Sequence, residues 1–239
     1  MFKNSSLSNK TVRGIFLNCL IAMIALFVNG FGVYLTMRAN IGAAPWDVFN
    51  LGLSKTFGIL YGTASIGVSV AILLIDISMK EPIGLALIID AIVVGKSVDL
   101  FNYLNPVPTP TSLPACIAML FIGLFILGYT QYFYMKAALG CGPRDTLLVG
   151  LKRHMPKLPI GVVSIALLGT ATLIGYLLGG PVGIGTILCA LFQGPIMALA
   201  FKSLHFDATN IRHESIPESL TVISNSLRSR HLGHRSKHA

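Results

Sequence analysis

The chain has 239 residues, of which 54% are hydrophobic and only 11% are charged. An ordinary soluble domain carries about 25% charged residues, so this composition excludes a soluble globular protein. The apolar content also excludes a disordered chain, and the 24 glycines and 12 prolines have no collagen-like period. The class that remains is a membrane protein with several spans.

Apolar windows of about 19 residues predict six transmembrane helices. In chain order they lie near residues 14–37, 59–79, 83–102, 113–135, 158–178 and 182–202. The predicted fold class is therefore an all-α membrane protein with about six transmembrane helices. The expected organisation is a cytoplasmic lead over 1–13, membrane units over 14–105 and 106–202, and a basic cytoplasmic tail over 203–239.

The lysines and arginines predict the orientation of these helices. With the N-terminus inside, 15 of the 18 fall in inner segments, two (Arg38 and Lys55) in outer segments, and Lys96 within a span. The positive-inside rule then places both termini in the cytoplasm. The net charge of +9 faces anionic lipid headgroups, so the expected partner is the lipid bilayer and not a nucleic acid.

The chain contains an internal repeat. At a shift of 98 residues, Gly30, Gly42, Pro45, Asp47 and Gly52 fall on Gly128, Gly140, Pro143, Asp145 and Gly150. At a shift of 99, Pro82, Gly84, Ala91 and Gly95 fall on Pro181, Gly183, Ala190 and Gly194. Each copy holds three predicted spans, an odd number, so the second copy is expected to be inverted across the membrane. Inverted repeats are frequent in secondary transporters, whose substrate site lies between the repeats.

Each copy also contains a motif that predicts a short helix after a flexible turn. Proline suits the first helical position, and the helix dipole favours an acidic residue in the first turn. About ten residues extend only about 15 Å, so each helix is expected to be re-entrant or interfacial. Either the motifs line a polar cavity and bind an ion, proton or small substrate, or each Asp only caps its helix. The candidate binding residues are Pro45, Trp46 and Asp47 in the first copy, and Pro143, Arg144 and Asp145 in the second.

The doubled pattern G-x-x-P-W-D and G-x-G-P-R-D is followed by G-x-G-T at Gly183, Gly185 and Thr186. This combination resembles the YczE/YyaS/YitT family of bacterial integral membrane proteins over residues 14–202. The YczE branch is the most similar, because the soluble C-terminal domain typical of the YitT branch is absent. The resemblance implies a location in the bacterial inner membrane and carries no assigned biochemical activity.

The third predicted span contains three ionisable residues, which are costly in a membrane and therefore candidate functional residues. Lys96 and Asp99 are three positions apart, so they are expected to form an ion pair near the outer end. Asp90 lies on another face and is either a proton or cation site or a structural residue. Both Asp90 and Lys96 are candidate binding residues. Asp76, four positions before Lys80, is expected to form a surface pair.

Other polar and aromatic residues support several lesser predictions. Asn18, Asn29 and Gln193 are expected to line the same cavity or to bridge helices, and Tyr129, Tyr132 and Tyr134 to form an aromatic belt. The four cysteines have no metal-binding spacing, and all six histidines lie outside the spans. We therefore predict no catalytic set, no metal and no cofactor. In the tail, Ile216, Leu220, Ile223 and Leu227 predict a short amphipathic helix.

Two functions are compatible with these patterns. The first is a small-solute or ion transporter or permease that works by alternating access, for which a homodimer could be needed to enclose a pathway. The second is a membrane scaffold or regulator that supports a partner complex and transports nothing. The charge of a substrate stays open, because Arg38, Lys96 and Arg144 favour an anion whereas Asp47, Asp90 and Asp145 favour a cation or protons.

Overall fold

The computed structural model describes residues 12–81, 85–136 and 142–206. Every regular element in these ranges is an α-helix. The predictions for most of the N-terminal lead and for the amphipathic helix of the tail lie outside the described residues. The eight helices are α1 (Val12–Arg38), α2 (Pro45–Phe57), α3 (Tyr61–Ser78), α4 (Leu85–Leu104), α5 (Leu113–Lys136), α6 (Pro143–His154), α7 (Ile160–Leu177) and α8 (Ile184–Ser203).

Five of these helices are long and apolar enough to cross a membrane: α1, α3, α5, α7 and α8. The prediction of an all-helical membrane protein is therefore confirmed. Helix α4 is also 20 residues long, but it contains Asp90, Lys96 and Asp99. Each predicted span coincides with a long helix to within about three residues, because apolar windows fix the helix positions well.

Helices α2 and α6 begin at Pro45 and Pro143, the first helical positions that the motifs predict. The residues before them, Ala44 and Gly142, are extended, so each proline starts its helix without losing a backbone hydrogen bond. Helix α2 ends at Gly58, whose φ of 64° is left-handed and suits glycine. With 13 and 12 residues, both helices are about 20 Å long or shorter, less than a bilayer core.

The two halves of the chain have matching helices and matching neighbours. Helices α3 and α7 differ by 99 positions at both ends, as do α4 and α8. Helix α1 packs on α4, and its counterpart α5 packs on α8. Within each half, the short helix packs on the long helix that follows it, α2 on α3 and α6 on α7. Each short helix also packs on the corresponding long helix of the other half, α2 on α7 and α6 on α3. Helices α1 and α5 pack against each other at the centre. One pair breaks the match, because α3 packs closely on α4 whereas α7 and α8 have little direct contact.

The close packing of α3 on α4 depends on two glycines. An added Cβ at Gly95 would lie 2.9 Å from the carbonyl oxygen of Gly62, so neither position accommodates a side chain without movement. The amide of Gly62 also donates a 2.7 Å hydrogen bond to Oδ1 of Asp99. The equivalent residues of the second half, Gly161 and Gly194, face open space. The two helix pairs therefore differ in conformation although their sequences keep the same glycines.

Two predicted ion pairs are not formed. Lys96 is exposed, and the carboxylate of Asp99 instead accepts the unpaired amide at the start of α3. Asp76 is fully buried, and neither carboxylate oxygen has a hydrogen-bond partner among the described residues, while Lys80 is exposed. Helix packing overrides sequence spacing at both places.

The predicted aromatic belt is also wrong for two of its three members. Tyr132 and Tyr134 are buried, and Tyr129 is 38% exposed. Helix α5 lies between α1 and α8, so these two tyrosines face protein rather than the membrane interface. Tyr134 packs with Ala22 and Leu26.

Candidate functional site

A polar cavity of about 340 Å³ lies where all eight helices meet. The N-terminal turns of α2 and α6 reach it from the two halves of the chain. Helices α3, α4, α7 and α8 form most of the remaining wall. The polar and charged lining residues are Asn29, Asp47, Tyr61, Ser65, Ser69, Asp90, Gln131, Tyr134, Arg144, Asp145, Ser164 and Gln193.

Most of the residues singled out in the sequence meet in this cavity. Both motif segments line it, with Pro45, Trp46 and Asp47 from α2 and Pro143, Arg144 and Asp145 from α6, and Asp90 joins them from α4. Lys96 does not line the cavity and is exposed. Asn29 lines it and also bridges helices, since its amide donates a 3.0 Å hydrogen bond to the hydroxyl of Thr130.

Asp47 is held in place by α3. The hydroxyl of Tyr61 donates a 2.7 Å hydrogen bond to Oδ1 of Asp47, and the amide of Asn50 donates a 3.4 Å bond to the same hydroxyl. All three residues are buried. These two hydrogen bonds fix the carboxylate of Asp47 at the cavity wall. Asp47 therefore does more than cap the first turn of α2.

Asp90 and Asp145 approach each other around Gly142. A Cβ added to Gly142 would lie 3.4 Å from Oδ2 of Asp90 and 3.8 Å from Oδ2 of Asp145. The Tyr134 hydroxyl would be 3.7 Å from the same point. Two carboxylates from different halves of the chain therefore both lie close to the backbone of Gly142.

Arg144 lines the cavity together with Asp47, Asp90 and Asp145. Its guanidinium carbon is 5.2 Å from the centre of the Trp46 ring, which is a cation–π distance. Trp46 and Arg144 are equivalent positions in the two motifs. The N-terminal turns of α2 and α6 therefore meet through the two motif residues that differ most in chemistry.

The Gly183, Gly185 and Thr186 motif packs against the turn before α2. The amide of Gly185 donates a 2.7 Å hydrogen bond to the carbonyl of Ile41, and an added Cβ at Gly183 would overlap that carbonyl. Gly42 has a φ of 111°, which favours glycine. The motif therefore supports the turn that leads α2 into the cavity.

Sequence reasoning missed several lining residues, including Tyr61, Ser65 and Ser164. Ser65 and Ser164 are 99 positions apart, each three residues after the glycines at 62 and 161. Extending the repeat comparison into the spans would have found this pair. Among the described residues, no group of three His, Cys, Asp or Glu side chains is placed to hold a metal ion.

The helices and the cavity define a multi-pass helical membrane protein with a polar centre. A model for a family of unknown function, DUF6198, matches residues 16–202, so the chain belongs to this family. An uncharacterized protein of Haemophilus influenzae is 31% identical over 177 residues, which is 74% of this chain and 80% of the relative.

Two proteins of Bacillus subtilis are also similar. The uncharacterized membrane protein YczE is 29% identical over 72% of this chain and 80% of its own length. The uncharacterized protein YyaS is 27% identical over 79% of this chain and 96% of its own length. The resemblance to a YczE/YyaS-like family is therefore confirmed. No solved structure matches the chain significantly.

Proposed function

We propose that the protein is a small-solute or ion transporter or permease of the bacterial cytoplasmic membrane that works by alternating access. The supporting observation is a polar cavity, with charged residues from both halves, at the centre of an apolar helical protein. Ionisable groups within a membrane are costly and commonly mark a solute or ion pathway. Secondary transporters bind their substrate at such a junction between repeats.

The proposal treats α4 as the sixth span, because 20 residues extend about 30 Å. Each half then has three spans and one short helix, so the second half is inverted relative to the first. Both termini are cytoplasmic in this arrangement. The matched bounds of α3 and α7 and the exchange of helix neighbours between the halves support it.

The difference between the two helix pairs suggests how access would alternate. In the proposed orientation, the closed contact of Gly62 with Gly95 lies toward the outside, and Gly161 and Gly194 lie toward the cytoplasm. Inverted repeats allow the two halves to exchange conformations, which exposes the site to the other side. In the opposite state, α7 would therefore close on α8 through Gly161 and Gly194 while α3 separates from α4.

This exchange is testable with a pair of cysteines in a cysteine-free background. A Gly161→Cys/Gly194→Cys variant would form a disulfide only when the two Cα atoms come within about 7 Å. A third cysteine, Ser65→Cys, would report access to the cavity by reaction with a membrane-impermeant maleimide. Gly169→Cys/Gly194→Cys is the matched control, because Gly169 also faces open space but lies two turns farther along α7.

We expect Ser65→Cys to react mainly from the cytoplasmic side before oxidation. After the disulfide between residues 161 and 194 forms, cytoplasmic labelling should fall and external labelling should rise. The control pair should not cross-link. If no cross-link forms and external labelling never occurs, alternating access is wrong, and a non-transporting scaffold or regulator becomes the better account. Residues from both halves of one chain line the cavity, so the proposal is stated for a single chain, and the possible homodimer stays a prediction.

A further inference from the structure

The charges that line the cavity do not balance. Asp47, Asp90 and Asp145 contribute three carboxyl groups, whereas Arg144 contributes the one basic side chain among the described lining residues. With the carboxylates ionised, the formal charge of the lining is −2. Charge inside a membrane is costly unless an opposite charge balances it, so the cavity favours a cation.

From the sequence alone, the charge of the substrate stayed open, because two further basic residues could have neutralised the three aspartates. The structure places both of these residues outside the cavity. Arg38 is absent from the cavity lining, and its Nε donates a 3.2 Å hydrogen bond to the carbonyl of Val107. Lys96 is exposed and also lies outside the cavity. Neither can contact a solute bound among the three aspartates.

Two serine hydroxyls lie where they would serve a bound ligand. Ser65 and Ser69 line the cavity and are each only 5% exposed. Hydroxyl oxygens accept hydrogen bonds from N–H or O–H groups, which suits an amine or a hydroxylated ammonium compound.

The size and the aromatic surface of the cavity favour an organic cation over a bare inorganic ion. A volume of about 340 Å³ lies at the lower end of the range for small-molecule sites. The ring of Trp46 already carries the guanidinium of Arg144 on one face. Aromatic faces are a common means of binding ammonium groups.

We propose that the cavity binds an organic ammonium ion whose nitrogen lies between Asp90 and Asp145 and competes with Arg144 for the ring of Trp46. Oδ2 of Asp90 and Oδ2 of Asp145 both lie within 4 Å of one point beside Gly142, and the cation would sit in the cavity next to these two oxygens. Ser65 and Ser69 would hydrogen-bond to the polar part of the ligand. This inference rests on the proposed role of the cavity as the substrate site and names the substrate class.

The single tryptophan of the chain lines this cavity, so its fluorescence reports occupancy directly. The full chain in lipid nanodiscs would be titrated at constant ionic strength with methylammonium, tetramethylammonium and choline. Matched probes are sodium, the neutral isostere of choline 3,3-dimethyl-1-butanol, and the anion 3,3-dimethylbutyrate. We expect a saturable change in Trp46 fluorescence with at least one ammonium ion. The three control compounds should cause no change.

Variants locate the binding site within the cavity. Asp90→Asn and Asp145→Asn should each weaken binding of the responding ammonium ion by about tenfold or more, because each removes a charge beside it. Asp99→Asn is the matched control on α4. The side-chain oxygen of the new Asn can still accept the hydrogen bond from Gly62. The affinity of this variant for the ammonium ion should therefore stay within about twofold of that of the unchanged protein.

Several results would overturn the inference: no response to any of the ammonium ions, an equal response to the neutral isostere, or binding of the anion. These outcomes differ from a failure of the proposed function. If the cross-linking experiment shows alternating access but no ammonium ion binds, only the substrate class is wrong. If an ammonium ion binds but access never changes sides, the cation site remains and transport is excluded.

Discussion

The hydroxyl of Tyr61 donates a 2.7 Å hydrogen bond to Oδ1 of Asp47, which links the first turn of α3 to the first turn of α2. Both residues are buried, so the carboxylate has few alternative donors. Because α2 is too short to span a bilayer, its position depends on contacts of this kind. The bond therefore fixes one wall of the cavity.

Tyr61→Phe should destabilise the protein by about 1–3 kcal/mol, because it leaves a buried carboxylate without its donor. Thermal unfolding of the purified protein in detergent would measure the loss. Tyr103→Phe is the control, since Tyr103 is 88% exposed. Equal stability of the two variants would mean that the bond to Asp47 contributes nothing.

Equivalent glycines in the two halves should respond differently to alanine. Gly62→Ala should destabilise the protein by about 1–3 kcal/mol, because the new Cβ overlaps the backbone of α4 at Gly95. Gly161→Ala meets no atom within 4 Å and should leave stability unchanged or slightly higher. Denaturation of both variants in the same detergent would compare them, and similar losses would contradict the observed difference between the helix pairs.

Arg144→Gln should increase the affinity for the responding ammonium ion by about tenfold, because it removes the cation that occupies the Trp46 ring. Fluorescence titration of Trp46 would measure the change. Arg144→Lys keeps the positive charge and should bind less tightly than Arg144→Gln. Weaker binding by Arg144→Gln would instead indicate that Arg144 contacts the ligand favourably.

Asp76→Asn should raise the thermal stability of the protein. Asp76 is fully buried and neither oxygen has a hydrogen-bond partner among the described residues, so removal of its charge relieves a desolvation cost. The gain is expected to be about 1–3 kcal/mol in chemical denaturation. Glu81→Gln is a useful comparison, because Glu81 pairs with Arg153 at 3.0 Å and should lose stability on neutralisation. A lower stability of Asp76→Asn would show that its carboxylate has a stabilising partner.

The sequence predicted the helices and much of the cavity, because both depend on local signals. Apolar windows placed the six long helices, and Pro45 and Pro143 marked the starts of the two short ones. Asp47 and Asp145 each lie in the first turn of a short helix, although Asp47 is buried and Asp145 is exposed. Both line one cavity, although they are 98 residues apart in the chain.

The contacts between helices could not be predicted in the same way. The i to i+3 spacing of Lys96 and Asp99 predicted an ion pair, yet Asp99 bonds to the amide of Gly62. The first amides of a helix lack intrahelical acceptors. No pattern within α4 reveals that the start of α3 brings such an amide close to Asp99. The prediction that Tyr134 belongs to an aromatic belt is wrong for the same reason, because its burial depends on how α5 packs between α1 and α8.

The inverted arrangement of the two halves is the central claim, and side-specific thiol labelling tests it most directly. Single cysteines at Thr56 and His154, in a cysteine-free background, occupy equivalent positions 98 residues apart at the ends of α2 and α6, and both are exposed. In intact cells, an impermeant maleimide should label Thr56→Cys at once and His154→Cys only after permeabilisation. Labelling of both from the same side would contradict the inverted repeat and, with it, the proposed exchange between the two halves.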